Sequence, residues 1–110
     1  MQTSKALYGQ TVRATAAVKG RTFAGYTGAT CAAGAAAMGA FRTDAAVGEY
    51  VTVEQIGTAL VIAGGPIAAG SAVESDAFGQ AVEQTTGVVV GRAVNAGAPD
   101  QAVEIFLIAA

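Results

Sequence analysis

The chain contains no histidine, no tryptophan and a single cysteine, Cys31, among its 110 residues. Without an imidazole it has no histidine general base, no histidine-containing triad and no zinc site of the usual kind. Cys31 cannot form a disulfide within the chain, and no basic neighbour in sequence activates its thiol, so we expect a small buried apolar residue. These absences argue against an enzyme, and we expect no catalytic residue, no metal and no cofactor.

Long hydrophobic runs are lacking as well, which bears on membrane association. The uncharged stretch 22–41 contains several glycines, and Gly64-Gly65-Pro66 would break a spanning helix in the stretch 56–73. The N-terminal 20 residues contain basic residues and no continuous apolar segment, so they do not resemble a signal peptide. We therefore expect no membrane segment, and the lone thiol is compatible with assembly in a reducing cytoplasm.

Charged residues make up only 13% of the chain, and they are unevenly distributed. Five of the six basic residues precede the first acidic residue, so residues 1–43 carry a formal charge of +5 and residues 44–110 one of −7. One interpretation is a folded domain with mixed surface charges. The other is a basic N-terminal arm that reaches an acidic partner. Nucleic acid is not an expected partner, because five dispersed cations form no dense patch and do not alternate with aromatic residues.

Small and β-branched residues dominate the composition, with 27 Ala, 15 Gly and 13 Val against only 3 Leu. β-Branched side chains suit pleated sheets, and seven or eight short strands at close spacing are typical of a small β-barrel or β-sandwich. The length predicts one domain. We expect an extended N-terminal arm over residues 1–20 and a single small all-β domain over residues 21–110. The predicted strands are 21–26, 49–56, 58–63, 72–74, 80–83, 87–95 and 102–108, with Gly57 as a hairpin turn and 29–40 as a loop or strand pair.

A weak internal repeat runs through the sequence at an offset of 52 residues. In both copies an apolar residue and a glycine precede a strand, and an Ala/Gly-rich turn then leads to a V-x-[VI] strand. The pattern predicts two similar β units rather than a solenoid, which would need more copies. The identical positions are Gly39 and Gly91, Val51 and Val103, and Ile56 and Ile108.

The few motifs that suggest chemistry are better explained as turns. The segment 65–71 imitates a phosphate-binding loop, but no lysine precedes Ser71 and Pro66 lacks a backbone donor. Glu74 and Asp76 lie two residues apart beside a predicted turn, which is more typical of a solvated loop than of an acid–base pair. The four phenylalanines are expected to anchor the core or an interface; they are Phe23, Phe41, Phe78 and Phe106.

Three segments resemble the head decoration proteins of tailed bacteriophages, which are also called capsid cement proteins. They are TDAAVGEYVTV at 43–53, IAAGSAV at 67–73, and VGRA at 90–93 leading to AVEI at 102–105. Residues 20–108 follow the order of the family's short motifs. The resemblance implies a β-tulip-like barrel or sandwich, and a virion protein that is assembled in the cytoplasm of the host bacterium.

The implied function is to bind the outer surface of the expanded head and to cement adjacent major capsid subunits. The expected partners are the major capsid protein and further copies of the chain, as a homotrimer at three-fold or quasi-three-fold positions or as a dimer. In the arm we expect Leu7, Tyr8 and Val12 to make apolar contacts with the shell, with Lys5 and Arg13 as charge partners. The alternatives are a tail or vertex β-module of a virion and a non-viral ligand-binding domain of the small-barrel kind.

Overall fold

Antiparallel strands and short turns build the domain, and no helix occurs within residues 6–107, the part of the chain that the computed structural model describes. Side chains are described from Gly9 onward. The strand order β2-β3-β4-β8-β7-β5-β6, with β1 added to β4, gives a nearly closed, barrel-like sheet, which confirms the predicted small all-β fold. The strands are β1 (Ala6–Arg13), β2 (Phe23–Ala24), β3 (Gly39–Phe41), β4 (Tyr50–Ile62), β5 (Ala72–Ser75), β6 (Ala81–Glu83), β7 (Gly91–Ala93) and β8 (Ala102–Leu107).

Strand β4 runs without interruption for 13 residues, so the prediction of two strands joined by a hairpin at Gly57 is wrong. Gly57 has a φ of 103°, which favours glycine, yet the chain continues through it in the same strand. The register with β1 shifts opposite this residue, between Ala6 and Tyr8 and again between Tyr8 and Gly9. A glycine with positive φ fits a β-bulge as well as a hairpin turn, and the pairing partners decide between them.

The remaining predicted strands are present, and those predicted at 21–26, 80–83 and 87–95 are shorter than expected, whereas β5 extends one residue beyond the predicted 72–74. Strand β7 begins only at Gly91, so the three valines before it lie outside the strand. Val90 is buried while Val88 is exposed, so this valine run is not buried on both faces. In the segment 29–40 only the last two residues join a strand, β3. Its Ala-rich part is irregular chain.

The predicted arm is extended in its described part, and it belongs to the sheet. β1 pairs with the first half of β4 from Ala6 opposite Gly57 to Arg13 opposite Tyr50. Beyond the strand, Ala14 and Val18 are buried in a hydrophobic cluster of the domain. Residues 6–20 therefore contribute both backbone pairing and core side chains, because β4 offers a free edge and the small side chains after β1 fit beneath it. Residues 1–5 lie outside the described part.

Four turns of one form recur along the chain, at residues 18–22, 45–49, 67–71 and 97–101. In the last three, the fifth residue donates its N–H to the carbonyl of the second, at 3.0, 3.2 and 3.1 Å. The turns are bridged in pairs, Val18 with Ala45 and Ile67 with Gly97. The fourth residue has a positive φ in every case: 61° at Arg21, 86° at Gly48, 83° at Gly70 and 69° at Asp100.

The strand pairings repeat with the turns. Residues 9–24 correspond to the residues 49 positions later, and residues 38–55 correspond to the residues 52 positions later. Each strand pairing among residues 9–24 and 38–55 has a counterpart among the residues at these offsets. The predicted internal repeat is thus confirmed, and it also includes β1. We call residues 9–57 the first repeat and residues 58–107 the second. Corresponding pairs include Val12–Val51 and Val61–Val103, Phe41–Val53 and Ala93–Ile105, and Ala24–Gly39 and Val73–Gly91.

Each repeat has its own hydrophobic cluster, and one of the clusters is shared. The cluster of the first repeat includes Phe41 and Val53. The cluster of the second repeat also takes in four buried residues from the first, including Phe23 and Ala40. Since Ala40 and Phe41 are neighbours on β3, opposite faces of this strand serve the two clusters. The first repeat thereby covers the core of the second.

Candidate protein-interaction surface

The groups that could suggest chemistry each stabilise a loop. The Glu74 carboxylate accepts the Thr85 amide at 2.6 Å and the Gly87 amide at 3.3 Å, and the Thr85 amide is the main reason that the Glu74 pKa is lowered. Asp76 accepts the amides of Phe78 and Gln80, at 2.8 and 2.9 Å. The two carboxylates therefore bind separate stretches of backbone and do not form an acid–base pair.

The glycine-rich segment 65–71 contains the third of the four turns. Glu83 closes it by accepting the Ala68 amide at 3.1 Å and the Ser71 hydroxyl at 2.9 Å, and the Ala68 amide is the main reason that the Glu83 pKa is lowered. Because the Glu83 carboxylate is negatively charged and occupies these donors, the segment is incompatible with a bound phosphate. This agrees with the interpretation of the segment as a turn.

The Cys31 side chain is buried, and burial raises the pKa of its thiol. Within residues 6–107, no group of three or more His, Cys, Asp or Glu side chains could hold a metal ion. In the same range no helix is long and apolar enough to cross a membrane.

The outer edge of β1 is the most extended unpaired edge of the first repeat. Beyond the strand end, the Ala14 amide donates to the Glu49 carbonyl at 2.8 Å. Backbone hydrogen bonds alternate along an antiparallel pair, so Val12 bonds to Val51 while Arg13 directs its amide away from β4. In the described sheet β1 pairs with β4 alone. An open edge of this kind is a template for another chain.

The five residues proposed as shell contacts are placed differently. Lys5 lies outside the described residues, and Leu7 and Tyr8 are positioned on β1 by their backbone only. Val12 is half-buried against the cluster of the first repeat, so it anchors β1 to its own domain. Arg13 is exposed, and its guanidinium lies close to Gly48.

Three exposed apolar residues belong to segments that approach the end of β1. Tyr50 is paired with Arg13 and is 73% exposed, and Val47, which precedes Gly48, is 68% exposed. Tyr26 is 60% exposed in a turn whose Gly28 packs against the Arg13 carbonyl. We call Arg13, Tyr26, Val47 and Tyr50 the Arg13 patch. Arginine and tyrosine are enriched among residues that dominate protein–protein binding energy.

Sequence reasoning identified Arg13 but not the three residues around it. They come from separate segments, and only the register between β1 and β4 brings Tyr50 next to Arg13. The signal for Tyr50 was present, since the alternation of β4 places it on the face opposite Val51 and Val53. Of the four phenylalanines, Phe23 and Phe41 are core residues, whereas Phe78 and Phe106 are exposed.

Comparison with known proteins gives a structural relative and no sequence family. The chain matches no protein-family model and no curated protein sequence. Its structure is similar to the crystal structure of the head fiber gp8.5 N base in bacteriophage phi29, with a TM-score of 0.78. The two share 22% sequence identity over 92% of this chain and 93% of that chain. This likeness shows that the domain adopts a fold that is also used in a bacteriophage head fiber.

Proposed function

We propose that the chain is a structural protein of a tailed-phage virion that binds the outside of the capsid. The observation that carries this proposal is the similarity to a head fiber base over nearly the full length of both chains. The resemblance of residues 43–53, 67–73, and 90–93 leading to 102–105 to head decoration proteins supports it independently. Our proposal includes no catalytic residue and no cofactor.

The finer proposal is that the protein cements adjacent major capsid subunits, as a homotrimer or a dimer. Many copies on a repeating surface gain avidity, so each contact can be modest. The N-terminal end of β1 is the proposed shell contact, through Lys5, Leu7 and Tyr8. Extended backbone there can add to a sheet edge of the shell with few special side chains. Val12 is half-buried against the cluster of the first repeat, so we assign it chiefly to the packing of β1.

A second candidate follows from the structural relative itself, which is the base of a fiber. In that case the chain would attach a longer appendage to the head instead of bracing the shell. The two candidates differ in copy number, since a cement protein occupies most equivalent positions on the lattice. A fiber base, like a tail or vertex module, would be present in fewer copies per particle.

The proposal is tested by sedimenting a lysate of infected or induced cells on a sucrose gradient. Mass spectrometry then measures the ratio of this chain to the most abundant shell protein in the particle fractions. A ratio near one supports a cement protein, and a low but constant ratio supports a fiber base or a vertex module. Recovery only at the top of the gradient contradicts a virion role and favours a ligand-binding domain.

The contact is tested with purified heads that lack the protein. Deletion of Met1–Tyr8 removes Lys5, Leu7 and Tyr8 but keeps the pairing of Gly9–Arg13 with β4. We expect this variant to lose binding while its unfolding transition remains cooperative. The control is Phe78→Ser, which changes an exposed apolar residue on a hairpin of the second repeat. Undiminished binding of the truncated chain would exclude the N-terminal end of β1 as the contact.

A further inference from the structure

The contact between the two repeats provides a template for a contact between two chains. Where the second repeat meets the first, the Ile62 amide donates to the Arg21 carbonyl at 2.8 Å. Ile62 corresponds to Arg13 of the first repeat, and Arg21 corresponds to Gly70 of the second. The described chain therefore has one inner contact of this kind, and it carries the two halves of another: the Arg13 amide in the first repeat and the Gly70 carbonyl in the second.

Both halves of this second contact are accessible. The amide of Arg13 points to the outer edge of β1, as the amide of Ile62 points away from β8. Gly70 is exposed, and no atom lies within 4 Å of a side chain added there. The Gly70 carbonyl accepts a hydrogen bond from Nη1 of Arg92 at 3.0 Å, and its second lone pair can accept another donor.

The charges of the two repeats are complementary. The first repeat contains four basic and three acidic residues, whereas the second contains one basic and five acidic residues. At the contact itself Arg13 lies at one half, whereas Glu83 and Arg92 both lie at the other, so the complementarity comes from the repeats as a whole. The Glu83 carboxylate is charged at neutral pH, as an ordinary glutamate is, and its lowered pKa extends the charged state toward acid. Opposite charges favour an approach in which the first repeat of one copy meets the second repeat of another.

We propose that a second copy of this chain docks head to tail, with the turn 67–71 of one copy against the Arg13 patch of the next. The contact repeats between chains the inner hydrogen bond from Ile62 to Arg21, now from Arg13 to Gly70. It deepens the proposed function by naming the partner of this surface, and it rests on that function for its setting on a repeating capsid lattice.

Polar side chains on the uncovered face of the first repeat make this contact between chains reversible. Gln10 and Gln55 bond to each other at 3.3 Å, at the positions that correspond to buried Ala59 and Leu107. A polar pair here keeps the free chain soluble, since an apolar face would join copies irreversibly. The binding energy then comes from the exposed Arg13 patch and from charge, so the contact weakens as salt is added.

Engineered cysteines test the geometry directly in the folded, full-length chain. Arg13→Cys and Ala69→Cys place thiols at the two halves of the contact, and both positions are exposed. Cys31 is buried and remains in place. The two single variants, one of them isotopically labelled, are mixed in equal amounts at high concentration and oxidised mildly, and mass spectrometry counts the covalent dimers. We expect the 13–69 heterodimer to exceed either homodimer about tenfold, against the roughly twofold excess of random pairing, because a disulfide needs Cα atoms within about 7 Å.

The matched control replaces an alanine elsewhere in the second repeat. Ala77→Cys is exposed at the tip of the β5–β6 hairpin and should give no preferred heterodimer with Arg13→Cys. A 13–69 heterodimer that does not exceed twice the amount of either homodimer, or no dimer at all from Arg13→Cys and Ala69→Cys, would overturn the proposed contact. Failure of head binding with intact cross-linking would instead contradict the proposed function and leave the contact standing.

Discussion

The two repeats follow the same chain path, but only one of them is covered by the other. In the second repeat, Val61 and Val90 are fully buried, because side chains of the first repeat close that cluster. The corresponding Val12 and Met38 of the first repeat are only partly buried. The difference teaches that the fold alone does not decide which face is a core and which is a surface. A face becomes a core only where a neighbouring repeat covers it, as in repeat proteins whose terminal units are polar.

The largest expected effect comes from removing a side chain of the first repeat that covers the hydrophobic cluster of the second. Phe23 belongs to the first repeat but is completely buried in the cluster of the second. Phe23→Ala leaves a large cavity there, and we expect it to lower the free energy of unfolding by about 3–5 kcal/mol. Urea denaturation followed by circular dichroism measures the change.

The control for this prediction is Phe106→Ala, on the outward face of β8, where 57% of the side chain is exposed. It should stay within about 0.5 kcal/mol of the original chain. Similar losses for both variants would show that the cluster of the second repeat does not depend on the first.

The two identical glycines test whether the repeats share the same steric constraint. A side chain on Gly39 would overlap the Glu54 carbonyl, and one on Gly91 would overlap the Phe106 carbonyl, which is the corresponding atom. Backbone cannot yield as a flexible side chain does, so we expect Gly39→Ala and Gly91→Ala each to cost about 1–3 kcal/mol. Gly65→Ala is the control, since its nearest neighbour lies at 4.0 Å. A cost at only one of the two glycines would break the correspondence of the repeats at β3 and β7.

A pH-dependent difference between the repeats is expected from Glu74, which follows Val73 as Gly25 follows the corresponding Ala24 in the first repeat. The Glu74 pKa is lowered chiefly by the Thr85 amide, so the folded chain binds the proton less tightly than the unfolded chain. This stabilisation is fully present above the ordinary pKa of 4.5 and is lost as the pH falls through the lowered value.

The measurement compares Glu74→Gln with the original chain by urea unfolding between pH 7 and pH 3. We expect the original chain to be the more stable at pH 7 and the difference to shrink toward acid. Glu83 also has a lowered pKa, so Glu83→Gln is the control that separates the two carboxylates. A constant difference across this range would show that Glu74 acts by shape alone.

Periodicity and turn residues predict most of the strands, but they do not predict which segments contact each other. The alternation around Val51 and Val103 identified strands in both repeats, and the offset of 52 residues was visible in Gly39 and Gly91. The role of residues 6–20 was missed because small polar residues carry no period, although they fit a free strand edge. Tyr50 and Arg13 are 37 positions apart, and their contact depends on a register that no local pattern encodes.

The smallest expected effect concerns the left-handed residue of the four turns. Glycine occupies this position in the second and third turns, whereas Arg21 and Asp100 occupy it in the first and fourth, at φ values of 61° and 69°. A non-glycine residue in this conformation costs about 1–2 kcal/mol, but replacing it with glycine also increases the freedom of the unfolded chain. We therefore expect Arg21→Gly and Asp100→Gly to change stability by less than about 1 kcal/mol, whereas Gly70→Ala destabilises by about 1 kcal/mol. Thermal unfolding of the three variants side by side checks the order. If Asp100→Gly destabilised the chain more than Gly70→Ala, a side-chain interaction of Asp100 would outweigh the backbone requirement, and the four turns would not be equivalent.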